Sequence, residues 1–243
     1  MHIRPIRLLL LSAAFLGLSG GLRAQDFAGE LAHIRTLLVN PQSLLMETKA
    51  TVDYAADMAG NKELPRVLHT VIRIAGNNYF YENEMMSMVI NPQWTVGVMH
   101  AQKQIVYGRN DARGMDKAKK QALSRDVPTD PALAEKAVYL GEQDGVRHYT
   151  VAQPGGGLSR SDFYIGAASR FFTRLVNEYE NPAASGIKRT TVEFLRFDDR
   201  AVFPADAFSE KMFLRFNGKT AQPAEKYKGY ELIYTDPELF NNF

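Results

Sequence analysis

From Leu44 onward the chain alternates with period two. Leu44, Met46, Thr48, Ala50, Val52 and Tyr54 fall on one side; Leu45, Glu47, Lys49, Thr51 and Asp53 fall on the other. Successive side chains of an extended chain point to opposite faces, so this pattern predicts a half-buried antiparallel strand. Residues 67–75 repeat it, with Leu68, Thr70, Ile72 and Ile74 opposed to His69 and Arg73. Short apolar runs follow at 79–81, 85–90, 94–99 and 104–107, divided by Gly76-Asn77-Asn78, by Asn91-Pro92 and by a turn at Ala101-Gln102-Lys103. Such dividers are turn chemistry, as is Gly60-Asn61 after the first strand. Further strands are predicted over 137–141, 147–152, 163–166, 172–180, 189–197 and 212–216, with an edge strand within 227–234. Asp144-Gly145 predicts a tight hairpin turn, and Pro154-Gly155-Gly156-Gly157 a flexible break.

One stretch has a different period. Phe27, Leu31, Ile34 and Leu38 recur at helical spacing, Asp26 stands where a cap would, and Asn40-Pro41 ends the pattern. This predicts an amphipathic helix over 27–39 that needs an apolar surface to lie on. One leading helix followed by about ten strands predicts a mainly antiparallel β fold of the α+β class: a curved sheet or open half-barrel with the helix on its concave face.

Residues 1–24 read as an address. Arg4 and Arg7 precede an apolar run from Leu8 to Leu18, and Leu22-Arg23-Ala24 closes it. A basic head, a short apolar middle and a small residue at the end predict a cleavable secretory signal, in a run too short to span a bilayer. A periplasmic or secreted location is the expectation, with residues 25–243 as one domain. Cleavage would turn the formal net charge of +2 into −1, because three arginines leave with the leader. Nucleic acid is then a poor partner. Cysteine is absent, which excludes disulfides, a thiol nucleophile and a lipidated N-terminal cysteine. The segment 109–132 is rich in charge and closes on Pro128 and Pro131, and it predicts a solvated excursion.

Catalytic patterns are wanting. The sequence holds neither a GxSxG elbow nor an HExxH pair, and His33, His69, His100 and His148 stand singly. Gly155-Gly156-Gly157 has no following Lys-Ser/Thr. Ser159 and Ser161 read as loop hydroxyls, and Glu82 and Glu84 as solvated acids at a strand edge. No catalytic residue, metal or cofactor is expected. What stands out is soft apolar surface: Met85, Met86 and Met88 cluster, with Met46, Met58 and Met99 on neighbouring segments. Methionine suits surfaces that accept varied apolar partners. Filling a core is the commoner use of such residues; a loosely filled face that holds a lipid chain is the other.

The order of elements resembles the LolA/LolB-like family of periplasmic lipoprotein carriers. The resemblance lies in 31–52, a helix running into a long strand; in Val71-Ile72-Arg73-Ile74 followed by Tyr79-Phe80-Tyr81; in Met88-Val89-Ile90-Asn91 through Gln104-Ile105-Val106-Tyr107; and in the late strands of 163–179 and 191–213. It implies a half-barrel that shields acyl chains under a helical lid, with Arg73 at the position of an arginine that holds the lid. Ile74 stands where the family often has proline. The ligand-binding candidates are then Met46, Ile72, Arg73, Tyr79, Tyr81, Met86, Met88 and Trp94, with a lipid acyl chain or a lipoprotein as partner and envelope proteins as further partners. The alternative is a non-enzymatic envelope scaffold or interaction module on the same fold.

Overall fold

The computed structural model describes residues 27–39, 41–56, 66–110, 130–218 and 220–235. The leader at 1–24, the cap at Asp26, the stop at Asn40, Met58, the turn at Gly60-Asn61 and most of the charged excursion lie outside the described residues. The architecture is mainly β. Helix α1 spans 27–39, matching the helical stripe. The strands are β1 (Ser43–Tyr54), β2 (Val67–Ala75), β3 (Asn78–Glu82), β4 (Met86–Ile90), β5 (Trp94–Met99), β6 (Gln104–Arg109), β7 (Ala137–Gln143), β8 (Val146–Gly155), β9 (Leu158–Gly166), β10 (Phe172–Tyr179), β11 (Ile187–Asp198), β12 (Leu214–Asn217), β13 (Thr220–Pro223) and β14 (Glu231–Tyr234). Two single-turn helices, α2 (Ala132–Glu135) and α3 (Pro182–Ser185), interrupt them.

Twelve strands form one open sheet in the order β14-β6-β5-β4-β3-β2-β1-β11-β10-β9-β8-β7, and β12 pairs with β13 in a separate hairpin. Neighbours are mostly antiparallel; β14 runs parallel to β6 at one edge. The expected break at 154–157 is instead a hairpin. β8 continues to Gly155, Gly156 and Gly157 turn at φ of +65° and +76°, and β9 returns from Leu158. Backbone that glycine alone adopts cheaply makes a tight turn as readily as a loose one. Ser159 and Ser161 consequently sit in a strand, and Ser161 is buried with its hydroxyl donating to Asn177. Glu84 is also engaged: its two carboxylate oxygens accept from the backbone N–H of His69.

The contacts divide the chain into two compact units. The first holds α1 up to Thr36, the end of β1 and residues 129–191. Here Phe27 stacks on Tyr149 at 4.6 Å and meets Phe163 at 5.2 Å. Phe27, Leu31 and Ile34 are fully buried, as are Tyr149, Val151, Phe163 and Ile165.

The second unit holds residues 37–52, 62–128 and 192–243. Its core joins Phe80, Val89, Trp94, Val96, Val98 and Ile105 on the sheet to Ala207, Phe208, Phe213, Leu214, Ala224 and Tyr227 beyond it. The chain after β11, which carries little alternation, therefore covers one face of β3–β6. Asn91 ties the two parts together. Its Oδ1 accepts from the N–H of Gln93 and Trp94, and its Nδ2 donates to the carbonyl of Phe208 and to Glu210.

Candidate functional site

Antiparallel register decides which candidate residues share a face, because paired residues point the same way. Met46 pairs with Ile72, Ile72 with Tyr81, Tyr81 with Met88, and Met88 with Gly97. These side chains form one rung across β1–β5. Met86 pairs with Met99 on the same face, one rung away. Tyr79 lies on the rung to the other side, with Leu44, Ile74 and Ile90. Six of the eight candidates, Met46, Ile72, Tyr79, Tyr81, Met86 and Met88, are thus gathered on one face.

The remaining two lie on the opposite face. Arg73 pairs with Leu45 and Phe80, and its guanidinium rests 4.8 Å above the Phe80 ring. Trp94 belongs to the core with Val96, held between the Arg109 guanidinium at 4.5 Å and the Phe216 ring at 4.6 Å. Arg73 follows Ile72 directly, so a strand cannot present both to one ligand.

The six-residue face is graded. Met46, Ile72 and Tyr79 are fully buried, whereas Tyr81, Met86 and Met88 are half-buried. Tyr81 is fixed at its hydroxyl, which accepts from Asn83 Nδ2 at 2.7 Å. Beside Met88 the rung reaches Gly97, which is buried although no described atom lies within 4 Å of where a Cβ would stand. Interiors are close-packed, so among the described residues this is room left beside a flexible thioether.

The residue that sequence reasoning missed is Arg147. Its guanidinium forms an ion pair with the buried carboxylate of Glu30 on α1, and its Nε donates to Glu142 at 3.3 Å. Burial works against the charged guanidinium, but the Glu30 charge and the hydrogen bonds it donates to Glu142 and Glu30 outweigh it and raise its pKa above the ordinary arginine value. A signal was available: Glu30 lies within the Phe27–Leu31–Ile34 stripe, where a carboxylate needs a buried cation. The histidines remain apart. His100 accepts or donates at Ser87 Oγ, 3.0 Å away, and His148 meets Asp162 at 3.2 Å. Among the described residues no three His, Asp or Glu side chains group to hold a metal.

No family model and no curated protein matches this sequence. Solved structures do resemble it. A conserved uncharacterized protein from Thermus thermophilus aligns over 86% of this chain and 99% of its own, at 10% identity and a TM-score of 0.46. A LolA superfamily protein from Nitrosomonas europaea aligns over 78% of this chain and 98% of its own, at 10% identity and a TM-score of 0.34. A chain of the Pseudomonas aeruginosa MucA/MucB complex aligns over 82% of this chain and 63% of its own, at 10% identity and a TM-score of 0.34. These are likenesses in the path of the chain.

Proposed function

We propose that this chain is an exported, periplasmic or secreted carrier that binds the acyl chains of lipids or lipoproteins on the β1–β5 face, and is not an enzyme. The observation that carries the reading is the room that no described residue fills at buried Gly97, in one rung with Met88 and Tyr81. Each CH₂ withdrawn from water contributes about 0.8 kcal/mol, so even a modest trough holds an acyl chain. The soft side chains of Met86 and Met88 adapt to chains of different length. Met46 and Ile72 are already buried, so a longer chain reaches them only when their cover shifts. Affinity is then set by the balance between covered and open states, which suits a carrier that must release its load. The leader-like residues 1–24 support the export part of the reading.

The test is lipid extraction and mass spectrometry on the purified protein, with titration of an apolar fluorescent fatty-acid probe. Recovery of acyl species, and a probe affinity that Gly97→Leu weakens about tenfold by filling the room, is the expected result. Absence of both acyl ligand and probe binding overturns the carrier reading and leaves the scaffold alternative.

A further inference from the structure

The first unit carries a second site, on the sheet face opposite to the one that receives Phe27. Gly141, His148, Tyr164 and Arg174 form a single rung across β7–β10. The side chains stack in that order. His148 lies 4.2 Å from Tyr164 with the rings 13° from parallel, and the Arg174 guanidinium covers the far side of Tyr164 at 3.8 Å. The stack stops at Gly141, which has no side chain and stands at φ +135° with open space where a Cβ would be. The face of the His148 imidazole turned toward β7 therefore has no ring partner along this rung.

Three details set this rung apart. Its two ends are bracketed by register irregularities, at Tyr139/Gly141 and at Phe172/Arg174. Bulges re-aim side chains and recur beside binding sites, and Leu140, the residue displaced at the first, is 55% exposed. A cavity of about 550 Å³ opens over the rung and includes Leu140, Val146 and Thr173 in its wall, a volume within the usual range for small-molecule sites. Finally, among the described residues Arg174 makes no ion pair, whereas Arg160 takes Asp162 and Glu178, and Arg147 takes Glu30 and Glu142. Asp162 also holds His148 in place.

We propose that this notch binds an elongated aromatic anion, its ring stacked on the open face of His148 above Gly141 and its anionic group paired with Arg174. Orientation follows from charge. The hairpin end of the cavity carries Asp144, so the anion lies toward β10 and the ring toward β7. Gly141 and Arg174 are three strand spacings apart, roughly 14 Å, and because the Arg174 guanidinium leans back over Tyr164 the two groups of the ligand are roughly 10 Å apart. Arg174 supplies the counter-charge and a forked donor set, and Leu140 and Val146 shield the ring edge.

Calorimetric titration with naphthylbutyrate, and with the uncharged naphthylbutanol as control, tests the site. The wild-type protein binds one naphthylbutyrate saturably. Arg174→Gln weakens the anion about tenfold without changing the alcohol, Arg174→Lys recovers part of the loss, and His148→Ala weakens both ligands about fivefold. Gly97→Leu leaves all of these values unchanged, which separates this notch from acyl binding in the other unit. Near-ultraviolet circular dichroism verifies that each variant is folded. Naphthylbutyrate that does not saturate, that is indifferent to Arg174→Gln, or that is lost on Gly97→Leu overturns the proposal.

Discussion

Arg147 on β8 and Glu30 on α1 form a buried ion pair, and the same guanidinium reaches Glu142 of the neighbouring strand. One side chain thus joins the helix to the hairpin of its own unit. Glu30 is 2% exposed and Arg147 half-buried, so removing the arginine takes the guanidinium away from a buried carboxylate. Arg147→Ala should cost about 3 kcal/mol in urea unfolding. Arg147→Ala combined with Glu30→Leu should cost less than the single change, because no charge is then left without its partner. A double variant as unstable as the single one would show that the pair is not what holds α1.

His100 makes stability depend on pH. Burial, then the nearby Lys226 charge, lower its pKa below the ordinary imidazole value, and Glu82 opposes them. The folded protein therefore takes up this proton less readily than the unfolded chain. Stability is full above the unfolded value, about 6.5, and falls as pH drops from there toward the lower folded value. Thermal melts from pH 7.5 to 5 should show this decline, and His100→Gln should flatten it. His100 also stacks beside Tyr227 at 6.4 Å, so the decline should be accompanied by loosening of the C-terminal cover.

Trp94 is the sole tryptophan, and it reports on that cover. Phe216 stacks on it at 4.6 Å, and Trp94 is 8% exposed. Phe216→Ala should red-shift Trp94 emission and cost about 1 kcal/mol. An unchanged spectrum would mean that the β12–β13 hairpin does not shield the indole.

Asn91 links the β4–β5 turn to the segment after β11. Replacing it with Ala removes the acceptor of two N–H groups and the donor to the Phe208 carbonyl. Buried polar groups left without partners cost about 1–3 kcal/mol each, so Asn91→Ala should destabilise by about 2 kcal/mol in chemical denaturation. Asn91→Asp, which keeps the acceptor and loses the donor, should retain much of the turn.

The strands were legible because burial on one face writes period two into the chain, and β1 and β2 carry it without interruption. Helix α1 was legible for the same reason at another period. The single apolar face of Met46, Ile72, Tyr81 and Met88 follows from alternation within each strand, yet their alignment into one rung required register, which no single strand encodes. Arg73 and Trp94 illustrate the cost: their residue types suited a ligand, but parity within β2 and β5 sends them to the other side. β12 and the edge strand β14 were legible within 212–216 and 227–234, whereas β13 and the parallel pairing of β14 with β6 were not, because a four-residue strand leaves little period and no strand encodes its neighbour's direction. The rung of Gly141, His148, Tyr164 and Arg174 was hidden because its four residues come from four strands, and its decisive member is the one without a side chain.

The second unit draws its core from both ends of its sequence: Phe80 to Ile105 wait for Phe208 to Tyr227. During synthesis the strands in between are made long before the segment that shelters them. This sheet face therefore stays without its mate until residues 208–227 have left the ribosome, and an apolar face without its mate settles late. If the chain is exported, as proposed above, such late closure works as a timer that keeps it translocation-competent until residues 208–227 have followed the strands.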